Sequence, residues 1–122
     1  MAKSVHDTVL DGAFQVLDAA NIMTACNAEP TTRTQAVTTF ALADAVMTPV
    51  TDFTIANGDV SGRKVTIAAK SGVTVDTTGT ATHIALCDAT NLLYVTTCTS
   101  QALTAANTVN FPAWKIEIAD PT

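Results

Sequence analysis

Hydrophobic positions in the first twenty residues recur at helical spacing. Leu10, Ala13, Phe14, Leu17 and Ala20 follow one another at three and four residues, and Val5, Val9 and Val16 widen the same stripe. Asp7, Asp11, Gln15 and Asp18 fall largely on the other side. Ser4 followed by Asp7 resembles a capping box, with the acid in the first turn, where the helix dipole favours it. The pattern predicts one amphipathic helix over 4–21, laid on a sheet, with Gly12 marking a close approach to another backbone.

After Asn21 the period shortens to two. Ile22–Ala28 reads as a strand closed by the turn signal Glu29-Pro30-Thr31-Thr32, and Thr34–Thr39 as a helical turn or irregular segment. Phe40–Met47 reads as a strand with Phe40, Leu42 and Val46 inward, and Pro49 ends it. Phe53 and Ile55 alternate with Thr54 and Ala56 before the tight turn Asn57-Gly58-Asp59. Val65, Ile67 and Ala69 alternate along 64–70, Ser71-Gly72 turns the chain, and Val73 and Val75 precede a second turn at 76–79.

Strands at 80–87 and 92–98 flank Asp88-Ala89-Thr90-Asn91 as a hairpin. An even loop there pairs Cys87 with Leu92 and Cys98 with Ala81. It sets Ile84 and Leu86 on one face with Leu93 and Val95, and His83, Ala85 and Cys87 on the other with Leu92, Tyr94 and Thr96. Leu103 and Val109 begin the last strands, where Trp114, Ile116 and Ile118 alternate with Lys115 and Glu117. Short strands with turn signals every eight to twelve residues predict a mainly β fold: a small antiparallel β-sandwich over 22–122, preceded by the N-terminal helix. All of 1–122 reads as a single domain, without repeat, linker or low-complexity block.

Composition narrows the function classes. Charged residues are 14% of the chain, and the net charge is −5 with a pI near 4.6. Only Arg63 and Lys64 are adjacent cations, so there is no basic stripe for a nucleic-acid backbone. No apolar run reaches the roughly 20 residues of a transmembrane helix, and the N-terminus lacks the apolar stretch of a signal peptide. The expectation is a chain with neither nucleic-acid nor membrane partner. In place of charge the chain carries 23 threonines and 21 alanines, giving a wettable surface that repels neighbours weakly. Such a surface suits a protein that packs against others.

Chemistry-bearing residues are few. Cys26, Cys87 and Cys98 form no CxxC pair, and the hairpin spacing predicts no intrachain disulfide. His83 lies mid-strand beside Tyr94 or Thr96, and reads as a hydrogen-bonded structural histidine. His6 sits in the first helical turn as a solvated or interface residue. No glycine pattern cradles a phosphate and no serine sits in a nucleophile elbow. Asp52, Asp59, Asp76 and Asp88 are turn aspartates whose spacing matches no calcium loop. No catalytic residue, cofactor or metal is expected, and the chain reads as non-enzymatic.

The wording of several segments goes further. The opening Ser4-Val5-His6-Asp7-Thr8-Val9-Leu10-Asp11-Gly12-Ala13 resembles the start of small virion structural proteins of tailed bacteriophages. So do Ala28–Thr32 with Ala36–Thr39, Gly58–Thr66, Thr80–Leu86 and the ending Pro112–Pro121, so the likeness covers nearly the whole chain. The resemblance implies a virion component assembled in the host cytoplasm. Its first implied role is a capsid decoration protein, bound between subunits of the major capsid protein and stabilising the head shell through contact area. Neck or tail placement, as connector, collar or fibre base, is the alternative. A carbohydrate- or receptor-binding β-sandwich module is the third reading, disfavoured because six aromatic residues leave few for a sugar-stacking face. A packed role implies a homo-oligomer or other virion proteins as partners, with Val5, Val9, Arg33, Tyr94, Phe111 and Trp114 as candidate interface residues.

Overall fold

In the computed structural model, which describes residues 4–121, the helical period becomes α1 (Asp7–Leu17). The helix is shorter at both ends than 4–21. His6, not Ser4, is the N-cap: its Nδ1 accepts the Thr8 N–H at 3.1 Å. The C-terminal end comes early because the sheet recruits the next backbone groups. Asn21 N–H donates to the Cys87 carbonyl and the Asn21 carbonyl accepts from Met47, so this segment must be extended. Leu10, Phe14 and Leu17 are buried, whereas Val9 and Val16 are 66% and 63% exposed. The apolar stripe is therefore narrower than its sequence pattern.

The remainder is β: β1 (Ile22–Cys26), β2 (Ala41–Val46), β3 (Phe53–Asn57), β4 (Arg63–Ile67), β5 (Lys70–Thr74), β6 (Gly79–Cys87), β7 (Leu92–Leu103), β8 (Thr108–Phe111) and β9 (Trp114–Ile118). A short π-helical turn, Gln35–Thr39, occupies the segment that the sequence left ambiguous. One antiparallel sheet has the order β2-β1-β6-β7 and a second the order β3-β4-β9, with a β5-β8 pair beside them. The fold is the mainly β, sandwich-like architecture with a leading helix that the periodicity predicts.

The β5–β8 pair continues the ladder of the second sheet. Arg63 pairs with Ile118 and Ile67 with Trp114; beyond a gap, Lys70 pairs with Phe111 and Thr74 with Thr108. Pro112 lies in that gap, and proline has no N–H to donate. Between the two sheets sit Met23, Leu42, Val65, Ile67, Val75 and Leu86, all fully buried, with Phe14 and Leu17 of α1. A smaller cluster lies on the outer face of the first sheet, where Cys26, Ala85 and Cys87 pack with Ala36 of the π-helical turn. The central strand β1 is thus covered on both faces, which buries Thr24 as well; its hydroxyl lies 3.4 Å from Cys26 Sγ.

Bulges account for most departures from the sequence reading. Cys26 pairs with Ala41 but Ala25 with Ala43, so Leu42 is an extra residue in β2. Leu42, Ala43 and Ala45 all turn inward, and Val46 is sent outward to 82% exposure rather than into the core. Phe40, also expected inward, is half-buried against the outer cluster. Ser71-Gly72 does not turn the chain: it forms a bulge inside β5, where Gly72 adopts φ 67°. In the hairpin Cys87 pairs with Leu92 as expected, but Leu86 pairs with Tyr94, leaving Leu93 extra. Tyr94 and Thr96 therefore share a face with Leu86 and Ile84, and Val95 joins Ala85 on the outer face. A second irregularity spans Cys98–Ser100, so Ala81 pairs with Gln101 rather than Cys98, and β7 runs on to Leu103.

Candidate functional site

The residues able to do chemistry are scattered and committed to structure. His83 pairs in register with Cys26 and Thr97, beside neither Tyr94 nor Thr96, and its Nδ1 lies 2.8 Å from Thr82 Oγ1. Each expected turn aspartate has its own local partner. Asp52 binds Lys70 at 2.8 Å, and Asp59 binds Lys64 and Lys115. Asp88 accepts the Thr90 and Asn91 N–H groups, while Asp76 adjoins Asp44, whose pKa it helps to raise. Among the described residues no group of three or more His, Cys, Asp or Glu could hold a metal ion.

All three cysteines are free, with Cys26 and Cys87 buried and Cys98 half-buried. Burial pushes each thiol up from its ordinary pKa. A hydrogen bond with Thr24 works against the shift at Cys26, and the Arg33 charge against that at Cys87. Raised thiols are poor nucleophiles. Among the described residues no helix is long and apolar enough to cross a membrane.

What the fold assembles is a surface feature on one side of the sandwich. Among the described residues, β7 and β9 are each terminal in their sheets, with β6 and β4 as their hydrogen-bonded neighbours, and β8 pairs with β5 alone. Helix α1 fills one half of the gap between these edges. Phe14 and Leu17 face Leu93, Tyr94, Ile116 and Ile118 there, around a shallow groove. Arg63 at the start of β4 anchors the helix through Asp11, with Nε–Oδ1 at 2.8 Å and Nη2–Oδ2 at 3.3 Å.

The other half is an open cleft of about 460 Å³. Its lips are Thr96–Thr99 of β7 and Val109–Trp114 of β8 and β9, and Ile84, Ala81 and Ala25 form its floor. From Ala89 through Trp114 the chain carries no charged residue and no histidine, although the whole protein carries six basic and eleven acidic residues. Both lips of the cleft belong to this uncharged run.

The six residues expected at an interface divide. Tyr94 and Trp114 are half-buried and stack across the gap, and Phe111, although buried, lines the cleft wall. Val5 and Val9 lie at the helix, half-buried and exposed respectively, away from the cleft lining. Arg33 is far from it as well: its Nε donates to the Asp88 carbonyl at 2.7 Å and braces the β6–β7 turn. Sequence reading missed Thr97, Thr99, Leu103 and Val109 as cleft residues. The signal that could have found them is the uncharged run itself. Compared with protein-family models, curated proteins and solved structures, the chain matches none.

Proposed function

We propose that this protein is a non-enzymatic structural component of a tailed-bacteriophage virion, a capsid decoration protein that binds between subunits of the major capsid protein. The resemblance of its segments to small virion proteins suggests the setting. The observation that carries a packing role is the uncharged, threonine-rich run from Ala89 to Trp114, which presents the edges of β7 and β8 together with an apolar cleft. Such a surface offers backbone hydrogen bonds and apolar contact without the charges that would demand a matched partner. Its work would be done by buried area repeated over many symmetry-related copies, so each contact can be individually weak.

The test is the copy number in purified phage particles, measured by mass spectrometry and normalised to the major coat protein. Abundance comparable with coat protein is expected. A few copies per particle would move the protein to the neck or tail. Complete absence would end the virion reading and turn attention to glycan or receptor binding.

A further inference from the structure

We propose that Asn57–Gly58 is a site of covalent self-modification, deamidation through a cyclic imide, and that Arg63 gates it. The inference is independent of the virion reading. Asparagine is thermolabile because the next backbone nitrogen can attack its side-chain amide, and glycine there offers no side chain to obstruct the attack. Of the asparagines at 21, 27, 57, 91, 107 and 110, Asn57 alone precedes glycine. It is exposed at the end of β3, where water reaches it. The turn also forbids any other successor, because a Cβ on Gly58 would collide with the Ser61 carbonyl oxygen.

Water is the one co-reactant. The Gly58 nitrogen loses its proton and bonds to Asn57 Cγ; the Cγ–Nδ2 bond breaks, and Nδ2 leaves with that proton as ammonia. Water then opens the ring. Attack at Cγ leaves aspartate in an unaltered backbone, and attack at the Asn57 main-chain carbonyl leaves isoaspartate. Two contacts oppose ring closure. The Gly58 N–H donates to the Gly62 carbonyl at 2.9 Å, and Arg63 Nη1 donates to Asn57 Oδ1 at 2.7 Å, which holds Cγ in place. Ring closure therefore needs local opening of this corner. The same guanidinium holds Asp11 of α1 and lies 3.9 Å from Asp7, so a product carboxylate at 57 becomes its third acidic neighbour. Isoaspartate lengthens the main chain opposite Arg63, at the last pair of the β3–β4 ladder.

Peptide mapping by mass spectrometry, on the full chain held in mildly alkaline buffer, tests both parts. In the urea-denatured chain Asn57 should convert before any other asparagine, giving aspartate and isoaspartate; earlier conversion elsewhere would overturn the site. The native chain should convert at Asn57 at least roughly tenfold more slowly than the denatured one. Arg63→Met keeps the apolar stem without the donors and should raise the native rate roughly tenfold, the scale of a lost charge-assisted hydrogen bond. A folded variant with the parent rate would overturn the gate. Asp11→Ala loosens α1 but leaves Arg63 on Asn57, so its rate should match the parent. An equal rise there would show that helix undocking sets the rate, and would also overturn the gate. If Arg63→Met fails to fold, the parent decides: equal native and denatured rates would end the claim of protection.

Discussion

Tyr94 of β7 and Trp114 of β9 meet across the open side of the sandwich, ring centroids 5.9 Å apart and planes tilted by 39°. The pair is a partition. Tyr94 lines the groove beneath α1, and Trp114 lines the uncovered cleft beyond it. Tilted aromatic contacts of this kind add to the free energy of simple burial.

Trp114 is half-buried rather than a core residue, so its removal should be tolerated. We expect Trp114→Ala to cost about 2 kcal/mol, below the ~3–5 kcal/mol typical of a fully enclosed tryptophan. Chemical denaturation measures it. Loss of all soluble protein would show that the ring anchors the core. Because Trp114 is the sole tryptophan, acrylamide quenching of its fluorescence also reports access to the cleft.

The Asp44 carboxyl should limit stability at neutral pH. Partial desolvation at the strand surface raises its pKa, and the adjacent Asp76 raises it further through hydrogen bonding and charge repulsion. A carboxyl whose folded pKa is raised favours the folded state below its unfolded value and loses that contribution as pH rises through the folded value. Asp44→Asn should therefore raise Tm at pH 7, and the gain should vanish in acid. Asp52 and Asp88 work in the opposite sense. Lys70 and the Thr48 N–H lower the first, and the Thr90 and Asn91 N–H groups lower the second. Their contributions hold at neutral pH and disappear as pH falls through their depressed folded values. Thermal melts of Asp44→Asn, Asp52→Asn and the parent chain from neutral to acidic pH separate the two behaviours.

Val50 adopts φ 66°, a left-handed conformation that a β-branched side chain resists, and its side chain is 65% exposed. Its N–H donates to the Asp18 carbonyl at 2.8 Å, joining the turn after β2 to the end of α1. Val50→Gly removes the steric cost while keeping that hydrogen bond. We expect about 1 kcal/mol of stabilisation, net of the added freedom of the unfolded chain. A lower Tm would mean that the valine side chain contributes more than its exposure implies.

Thiol titration should distinguish the cysteines by position. Cys26 and Cys87 are buried on the outer face of the first sheet and should react only on unfolding. Cys98, half-buried at the cleft lip, should react slowly in the native protein. Three reactive thiols are expected in denaturant without reductant. A count of one would reveal a disulfide.

Much of the architecture is local in origin and could be read without coordinates. The helical stripe around Leu10, Phe14 and Leu17 and the alternation at Val65 and Ile67 each follow from a few neighbouring residues. So does the turn in which Asp88 accepts the Thr90 and Asn91 N–H groups, which places Cys87 opposite Leu92. Bulges are different. Leu92 and Leu93 are equally apolar, so nothing in the pattern reveals that Leu93 is the extra residue and that Tyr94 turns toward the core. Leu42 is inward as its pattern indicates, but nothing local reveals that it is an extra residue in β2, which turns Ala43 and Ala45 inward and sends Val46 to the surface.

Period, turn chemistry and composition are properties of adjacent residues, and they are enough to specify a β-rich, acidic, sparsely charged chain with one leading helix. The sequence also contains the uncharged run from Ala89 to Trp114, but not its meaning. It takes the packed fold to make β7 and β9 terminal strands, to close half of the gap beside them with α1, and to leave the other half open. Edge, cleft and neighbour are relations between segments far apart in the chain. They arise when sheets choose their order and a short helix runs out of length to cover the space between them.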